Sequence, residues 1–304
     1  MSTGTDPLAP LAQLPGVPDA VAEVRKAVDR LYGHRVMRRR AAEVTSESAL
    51  RGARASAALA GSDWPLEEVR RRSDFGADPE TRTVGASLRI AAEAGQLLSI
   101  WRHSPLQVLA RLHLLAVGDA DLAAGRPRQA GEGVEDLFPL GLEPAEGVAA
   151  DVAPASAPPA PAGPVPALPA APGPEEVAAR LDQLSRLLVA RAEGQGVGMP
   201  ALVVSSVVHG ELLALRPFGS YNGLIARAAA RIVLIAEGLD PKSICPAEVG
   251  LVELGTDAYR RALAGYLAGT PEGLAAWIGH CGRALRLGVR ESTAVCEAMQ
   301  RGMV

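Results

Sequence analysis

The chain has 304 residues, a formal net charge of −3 and an isoelectric point near 6.0. This length is enough to bury a full core, and the charge balance provides no overall attraction to nucleic acid or anionic lipid. Its three cysteines are widely spaced, which excludes a disulfide or zinc framework and is typical of a reducing compartment. The N-terminus lacks signal-peptide features, and no window has the ~18 apolar residues of a membrane helix. We therefore predict a cytoplasmic protein without membrane segments.

The first half of the chain has the periodicity of amphipathic helices. The first helix carries apolar residues at helical spacing, namely Val21, Val24, Val28 and Leu31. A second helix with a face of small residues is predicted over 46–61. Two more follow over 79–103 and 104–120, the latter opened by Ser104 as N-cap and Pro105 in its first turn.

A proline-rich segment separates the two halves. Nine of the 24 prolines fall within 154–174, so this stretch lacks the backbone donors that a helix or sheet requires. The acidic, glycine-containing residues 131–151 that lead into it are also predicted to be irregular. We expect a solvated, semi-rigid spacer, with a docking peptide for a proline-binding module as the alternative.

The second half is also helical, and no alternating strand pattern occurs anywhere in the chain. The stretch 199–215 is apolar on nearly all sides, as expected of a buried central helix. Further helices are predicted over 174–192, 224–238, 256–269 and 271–288. The fold class is therefore all-α, with four parts: a disordered N-terminus (1–17), a helical part (18–130), the linker (131–174) and a helical core (175–304).

The stretch "LRPFGSYNGLIAR", residues 215–227, breaks the pattern between two of these helices. Pro217 cannot continue a helix, and Asn222-Gly223 favours a tight turn. A new helix beginning near Gly223 would present free N–H groups, with Arg216 before them and Arg227 one turn inside. This arrangement predicts an anion site. The alternative is an ordinary corner between packed helices, with both arginines in solvent.

These residues resemble the Fic domain, whose motif runs His-Pro-Phe-x-(Asp/Glu)-Gly-Asn-Gly-Arg-x-x-Arg. The resemblance extends from Val21 to Gly288. "SAALAG", Ser56 to Gly61, resembles the inhibitory-helix signature of the family, (Ser/Thr)-x-x-x-Glu-(Gly/Asn). "AGRPR", residues 124–128, resembles its Gly-x-x-Arg segment ahead of a β-hairpin flap. The resemblance implies an all-α Fic-like domain with a disordered Ala/Pro-rich insertion near the usual flap position. It also implies transfer of AMP, or a related group, from a nucleotide to a protein hydroxyl.

The departures from the motif fall on its chemistry. Arg216 stands in place of the histidine that removes a proton from the target hydroxyl, and a guanidinium stays charged and cannot be that base. Ser220 replaces the acid that holds magnesium, so we expect the metal site to be lost. Tyr221 and Leu224 replace a glycine and a phosphate-binding arginine. Ala60 likewise replaces the inhibitory glutamate that would pair with the final motif arginine.

The leading hypothesis is a degenerate Fic-family protein, a pseudoenzyme without normal AMP transfer. No catalytic residue, metal or fixed cofactor is predicted, although ATP or another nucleotide is a candidate ligand. The anion or nucleotide phosphate would be contacted by Arg216, Asn222, Gly223 (through its N–H) and Arg227. Two alternatives remain open: an active transferase that uses altered chemistry, and a non-catalytic adaptor for an unknown protein partner.

The remaining signals favour structural roles. His209, two helical turns before Arg216, and His113 are interpreted as buried residues rather than bases. The glycines of 194–198 lack the full spacing and the preceding strand of a dinucleotide-binding loop. The basic run 34–40 has no interleaved aromatic residues, so nucleic-acid binding is not expected.

Overall fold

A computed structural model describes residues 6–76, 78–118, 123–146, 164–194 and 198–303, and it contains no strand in these ranges. The all-α prediction is confirmed. The N-terminal helices are α1 Ala9–Ala12, α2 Val17–Tyr32, α3 Ala41–Leu59, α4 Leu66–Arg71, α5 Pro79–Glu93, α6 Leu98–Trp101 and α7 Pro105–Val117, with a 3₁₀ turn at Arg35–Arg38. The C-terminal helices are α8 Pro174–Ala192, α9 Ala201–Leu215, α10 Asn222–Ala236, α11 Ala247–Leu254, α12 Thr256–Ala268 and α13 Pro271–Gln300.

The hairpin formed by α9 and α10 occupies the centre of the molecule. Every residue of α9 except Val207 and Glu211 is buried, as the absence of a polar face predicts. Helices α3, α5, α6 and α7 pack on α10, and α12 and α13 pack on α9. The turn between α9 and α10, which carries the motif, is thereby fixed by the core on both sides.

Helices α2 and α13, which lie far apart in the sequence, form one layer of the fold. Val24, Val28 and Leu31 of α2 share an apolar cluster with Ile278 and Leu285 of α13. This cluster is separate from the larger one around α9 and α10. The first long helix is therefore packed against the last.

Glycines allow α13 to approach its neighbours closely. A Cβ atom on Gly288 would overlap the Pro246 carbonyl at the start of α11, and one on Gly250 would overlap backbone of α13 at Ala284. Gly265 of α12 and Gly273 of α13 form a similar contact. These backbones pack at distances that leave no room for side chains.

The structure differs from the sequence prediction at two places in the N-terminal half. The predicted disordered N-terminus contains helix α1, which begins after an Asp6 side chain that accepts from the Leu8 N–H (2.8 Å) and pairs with Arg191 of α8. The single helix predicted over 79–103 is broken by turns at 94–97 into α5 and α6. Of the predicted Ala/Pro-rich insertion, residues 147–163 lie outside the described ranges.

Candidate functional site

The motif loop, residues 216–221, joins α9 to α10. Arg216 ends α9 in the left-handed conformation (φ 44°), with its N–H still donating to the Leu212 carbonyl. The Asn222 side chain then braces the loop from inside, because it accepts from the Phe218 N–H (2.9 Å) and donates to the Phe218 carbonyl (2.7 Å). Asn222 is 1% exposed. Its side chain therefore braces the loop, and a side-chain hydrogen bond from it favours the ionised form of Glu135.

The start of α10 already carries an anion, and that anion belongs to the chain itself. Tyr221, also left-handed (φ 59°), directs its N–H at the Glu135 carboxylate (2.6 Å), and the Asn222 N–H donates to the other carboxylate oxygen. Burial raises the pKa of Glu135, while these two hydrogen bonds and the charge of Arg227 act in the opposite direction. An internal carboxylate therefore accepts the N–H groups at the start of α10.

Glu135 belongs to residues 131–146, which we call the strap. The strap is irregular, as predicted, but it is packed against the core rather than solvated. Leu137 and Phe138 are buried, and the Phe138 ring meets Tyr259 edge-on at 5.0 Å. Further along, the Leu142 N–H donates to the Thr256 hydroxyl (2.8 Å). Its apolar residues therefore anchor this part of the linker to α12.

Arg227 is held by the helix that resembles the inhibitory segment. Its Nε donates to the Ser56 hydroxyl (2.8 Å) and its Nη2 to the Ser56 carbonyl (2.9 Å), and it is 3% exposed. Gly223 preserves the space for this guanidinium, since a Cβ there would lie 3.1 Å from Nη1. The structure thus brings Ser56 to the motif. Ala60 only caps α3, and Gly61 follows with φ 102°.

Arg216 lies on a different side of the loop from Arg227. Its Nη2 donates to the Pro169 carbonyl (2.7 Å), while its own carbonyl accepts from Arg128 Nε (2.9 Å). Burial and the nearby charge of Arg128 lower the pKa of Arg216. The charged group that acts on Glu135 is instead Arg227. The four predicted anion ligands therefore do not converge on one point.

The two histidines singled out from the sequence have structural roles, as predicted. His113 stacks on Phe218 (4.3 Å between ring centroids), and its Nδ1 accepts from the Gly125 N–H (2.9 Å). His209 Nε2 lies 2.6 Å from the Tyr259 hydroxyl, and burial lowers its pKa to about 3. Neither histidine takes the place of the missing base.

The cavities near the motif are small. One of about 40 Å³ lies behind Arg227 and is lined by His209, Arg231 and Glu248 among others. Ligand pockets usually measure about 300–1,000 Å³. Larger surface cavities, of about 390 and 330 Å³, lie between α2 and α13 and beside Arg191, away from the motif loop.

Within the described ranges, no cluster of three histidine, cysteine or carboxylate side chains could hold a metal ion. Ser220, which stands in place of the motif acid, offers only a hydroxyl. No helix in the same ranges is both long and apolar enough to cross a membrane. Two of the residues predicted for the anion site, Gly223 and Arg227, lie close to each other at the start of α10.

Glu135 was not among the residues predicted for the site. A signal was present, because the apolar pair at 137–138 interrupts an otherwise polar, glycine-containing segment and indicates contact with a core. The contact of the Glu135 carboxylate with the Tyr221 N–H joins residues that are 86 positions apart in the sequence. A local sequence pattern does not encode such a contact.

By sequence, the chain matches no family model and none of the curated proteins. By structure, it is similar to a Fic family protein from Desulfovibrio desulfuricans G20, with a TM-score of 0.66 at 21% identity over 92% of this chain and 75% of the other. It is also similar to a fragment of Fic-1 from C. elegans (TM-score 0.57, 15% identity, 91% and 71%) and to the same fragment with one substitution (0.55, 14%, 91% and 72%). The chain has a Fic-like fold.

Proposed function

Starting from the Fic-like fold, we propose that this protein binds phosphate-type anions, including nucleotide phosphates, and does not carry out AMP transfer. The observation that carries the proposal is the Glu135 carboxylate on the N–H groups of Tyr221 and Asn222. A carboxylate and a phosphate present the same acceptor oxygens to a helix N-terminus. The loop therefore retains the shape and polarity of an anion cradle.

The absence of AMP transfer follows from the groups available for proton transfer. General base catalysis needs a group whose pKa lies near the working pH. Arg216 is a guanidinium, which remains protonated even with its pKa lowered by burial. His209 is buried against the Tyr259 hydroxyl, about two helical turns before the loop. Arg216 is therefore not a general base, and both oxygens of the Glu135 carboxylate at the loop accept backbone N–H groups.

Arg227 supplies the positive charge of the proposed site. Its charge favours the ionised form of Glu135, whose pKa is raised by burial, and Ser56 fixes its orientation. We expect the substitution Arg227→Gln to weaken binding of inorganic phosphate and of ATP about tenfold, since a hydrogen bond or close charge on an anion contributes roughly 1.5–3 kcal/mol. Because Ser220 replaces the metal ligand, omission of magnesium should leave affinity for inorganic phosphate unchanged.

Titration calorimetry with inorganic phosphate, and with ATP in the presence and absence of magnesium, would test this. Arg231→Gln provides a matched control, because Arg231 lies one turn further along α10 and bonds to another serine of α3, Ser48. Equal loss of binding in both variants would mean that only the packing of α10 had been disturbed. Unchanged binding in Arg227→Gln would overturn the proposed role of Arg227.

The adaptor remains a second candidate, and the internal bonding of the loop favours it. Glu135, Ser56 and Phe218 already satisfy the groups that a ligand would use. If neither the wild-type protein nor a variant without the Glu135 charge binds phosphate or ATP, the loop has a structural role. Transfer of a labelled donor group to protein would instead support the transferase with altered chemistry.

A further inference from the structure

We propose that the strap is an intramolecular competitor, in which the Glu135 carboxylate occupies the phosphate position and must leave before an external anion can bind. This inference rests on the proposed anion-binding function and adds its regulation. The two states are a closed one, with Glu135 on the start of α10, and an open one, with an external anion in the same place.

The competition follows from the number of donors. Each backbone amide has one hydrogen, and the N–H groups of Tyr221 and Asn222 both donate to Glu135. The Asn222 side chain adds at most one further donor, because its oxygen accepts from the Phe218 N–H and one of its amide hydrogens is donated to the Phe218 carbonyl. An incoming phosphate that uses these two donors therefore displaces the carboxylate.

Charge makes the two anions mutually exclusive as well. Arg227 is the cation whose field acts on Glu135, and its hydrogen bonds go to Ser56 rather than to a carboxylate. Two anions beside one buried guanidinium would repel each other in a region of low dielectric. Binding of a dianion is therefore coupled to departure of Glu135.

The strap is built so that Glu135 can leave without unfolding the domain. On its C-terminal side, Phe138 is anchored against Tyr259 and under the Arg260 guanidinium (5.4 Å). On its N-terminal side, Gly131 and Gly133 are exposed, and a Cβ on either would meet nothing within 4 Å. The two glycines give the backbone on one side of Glu135 conformational freedom, although Glu132 between them pairs with Arg126, and the aromatic anchor fixes the other side.

The test removes the competitor and measures binding of inorganic phosphate by titration calorimetry, without magnesium. We expect Glu135→Gln to bind phosphate at least tenfold more tightly than the wild-type protein. Glu143→Gln is the matched control, because Glu143 is an exposed carboxylate of the same strap and its loss changes the net charge equally. This control should bind phosphate with the wild-type affinity.

A second variant separates competition from charge and from folding. Glu135→Asp retains the negative charge but is one methylene shorter, so its carboxylate reaches the two N–H groups poorly. It should also bind phosphate more tightly than the wild-type protein, and a similar gain with ATP would indicate a site open to nucleotide phosphates. A gain with inorganic phosphate but none with ATP would restrict the ligand to the free anion.

The outcomes distinguish the two proposals. If wild-type, Glu135→Gln and Glu135→Asp proteins bind phosphate with equal affinity, the anion site is real and the competition is wrong. If none of the three binds phosphate or ATP while all retain the wild-type melting temperature, both the anion-binding function and its regulation are wrong. If the substitution at Glu135 weakens binding, the carboxylate shapes the site and does not compete with the ligand.

Discussion

At the scale of single residues, Arg216 is the residue on which the proposed absence of AMP transfer depends. Its backbone lies in the left-handed region, where histidine, asparagine and aspartate are enriched among non-glycine residues. Histidine therefore fits this backbone at least as well as arginine. The substitution Arg216→His tests the chemistry of the loop without straining it.

We expect Arg216→His to fold with an unchanged melting temperature and still to transfer no AMP. A base alone is insufficient, because Ser220 provides no carboxylate for a metal and Leu224 no charge for phosphate. The measurement is incorporation of label from α-labelled ATP into protein, with Arg216→Ala as the control. Incorporation in the histidine variant alone would mean that one substitution separates this protein from an active enzyme.

Residues of the site differ in how far the sequence determines them. Asn222 and Gly223 do not form the predicted tight turn, because both lie in α10 and the positive φ angles of the loop are at Arg216 and Tyr221. The buried state of His209, in contrast, follows from the apolar helix around it. Glu135 was not predictable. Its position depends on the packing of Phe138 against Tyr259. This is a tertiary contact between an irregular segment and a helix, which local sequence does not reveal.

At the scale of helices, the packing of α13 depends on where its glycines lie. Gly288 faces the Pro246 carbonyl with no room for a side chain, whereas a Cβ on Gly279, earlier in the same helix, would meet only the end of the flexible Arg283 side chain at 3.7 Å. Sequence periodicity predicts α13 but cannot distinguish these two glycines, because the difference lies in the neighbouring helix.

We expect Gly288→Ala to lower the free energy of unfolding by roughly 1–3 kcal/mol, because the new methyl group forces α11 and α13 apart. Gly279→Ala should raise it by roughly 0.5–1 kcal/mol, because alanine loses less backbone entropy in a helix. Urea unfolding followed by circular dichroism measures both values. Equal effects of the two substitutions would contradict the close approach of these helices.

The break between α5 and α6 is another limit of prediction at this scale. Apolar residues keep helical spacing across 79–103, yet the chain turns at 94–97 around Gly95. Glycine is tolerated within many helices, so its presence alone did not indicate an end. Burial of Leu97 and Trp101 against the core determines the turn instead.

At the scale of the whole molecule, the buried histidines make the free energy of unfolding depend on pH. Burial lowers the pKa of His209 and of His280 to about 3, from a usual value of 6.5. Between pH 6.5 and 3 the unfolded chain therefore binds more protons than the folded one, and the free energy of unfolding falls as the pH falls. His280 stacks on Tyr259 and Trp277, and phenylalanine can replace it in that stack.

We expect His280→Phe to reduce the loss of unfolding free energy between about pH 7 and 5 by on the order of 2 kcal/mol, since one pKa unit corresponds to about 1.4 kcal/mol. The measurement is urea unfolding at several pH values, with the slope compared between variant and wild type. Because only the slopes of unfolding free energy against pH are compared, a difference in stability between the two proteins at neutral pH does not affect the result. Parallel curves would show that His280 is protonated equally in both states.

The packing of α2 against α13 also has a consequence for how the chain acquires its structure during synthesis. Helix α2 is translated well before α13, the helix that covers Val24 and Val28 in the folded protein. Contacts so distant in sequence slow folding and leave apolar surface exposed in the meantime. The nascent protein thus carries an unpaired apolar helix until α13 has been translated, and a chaperone that binds such helices would find its target there.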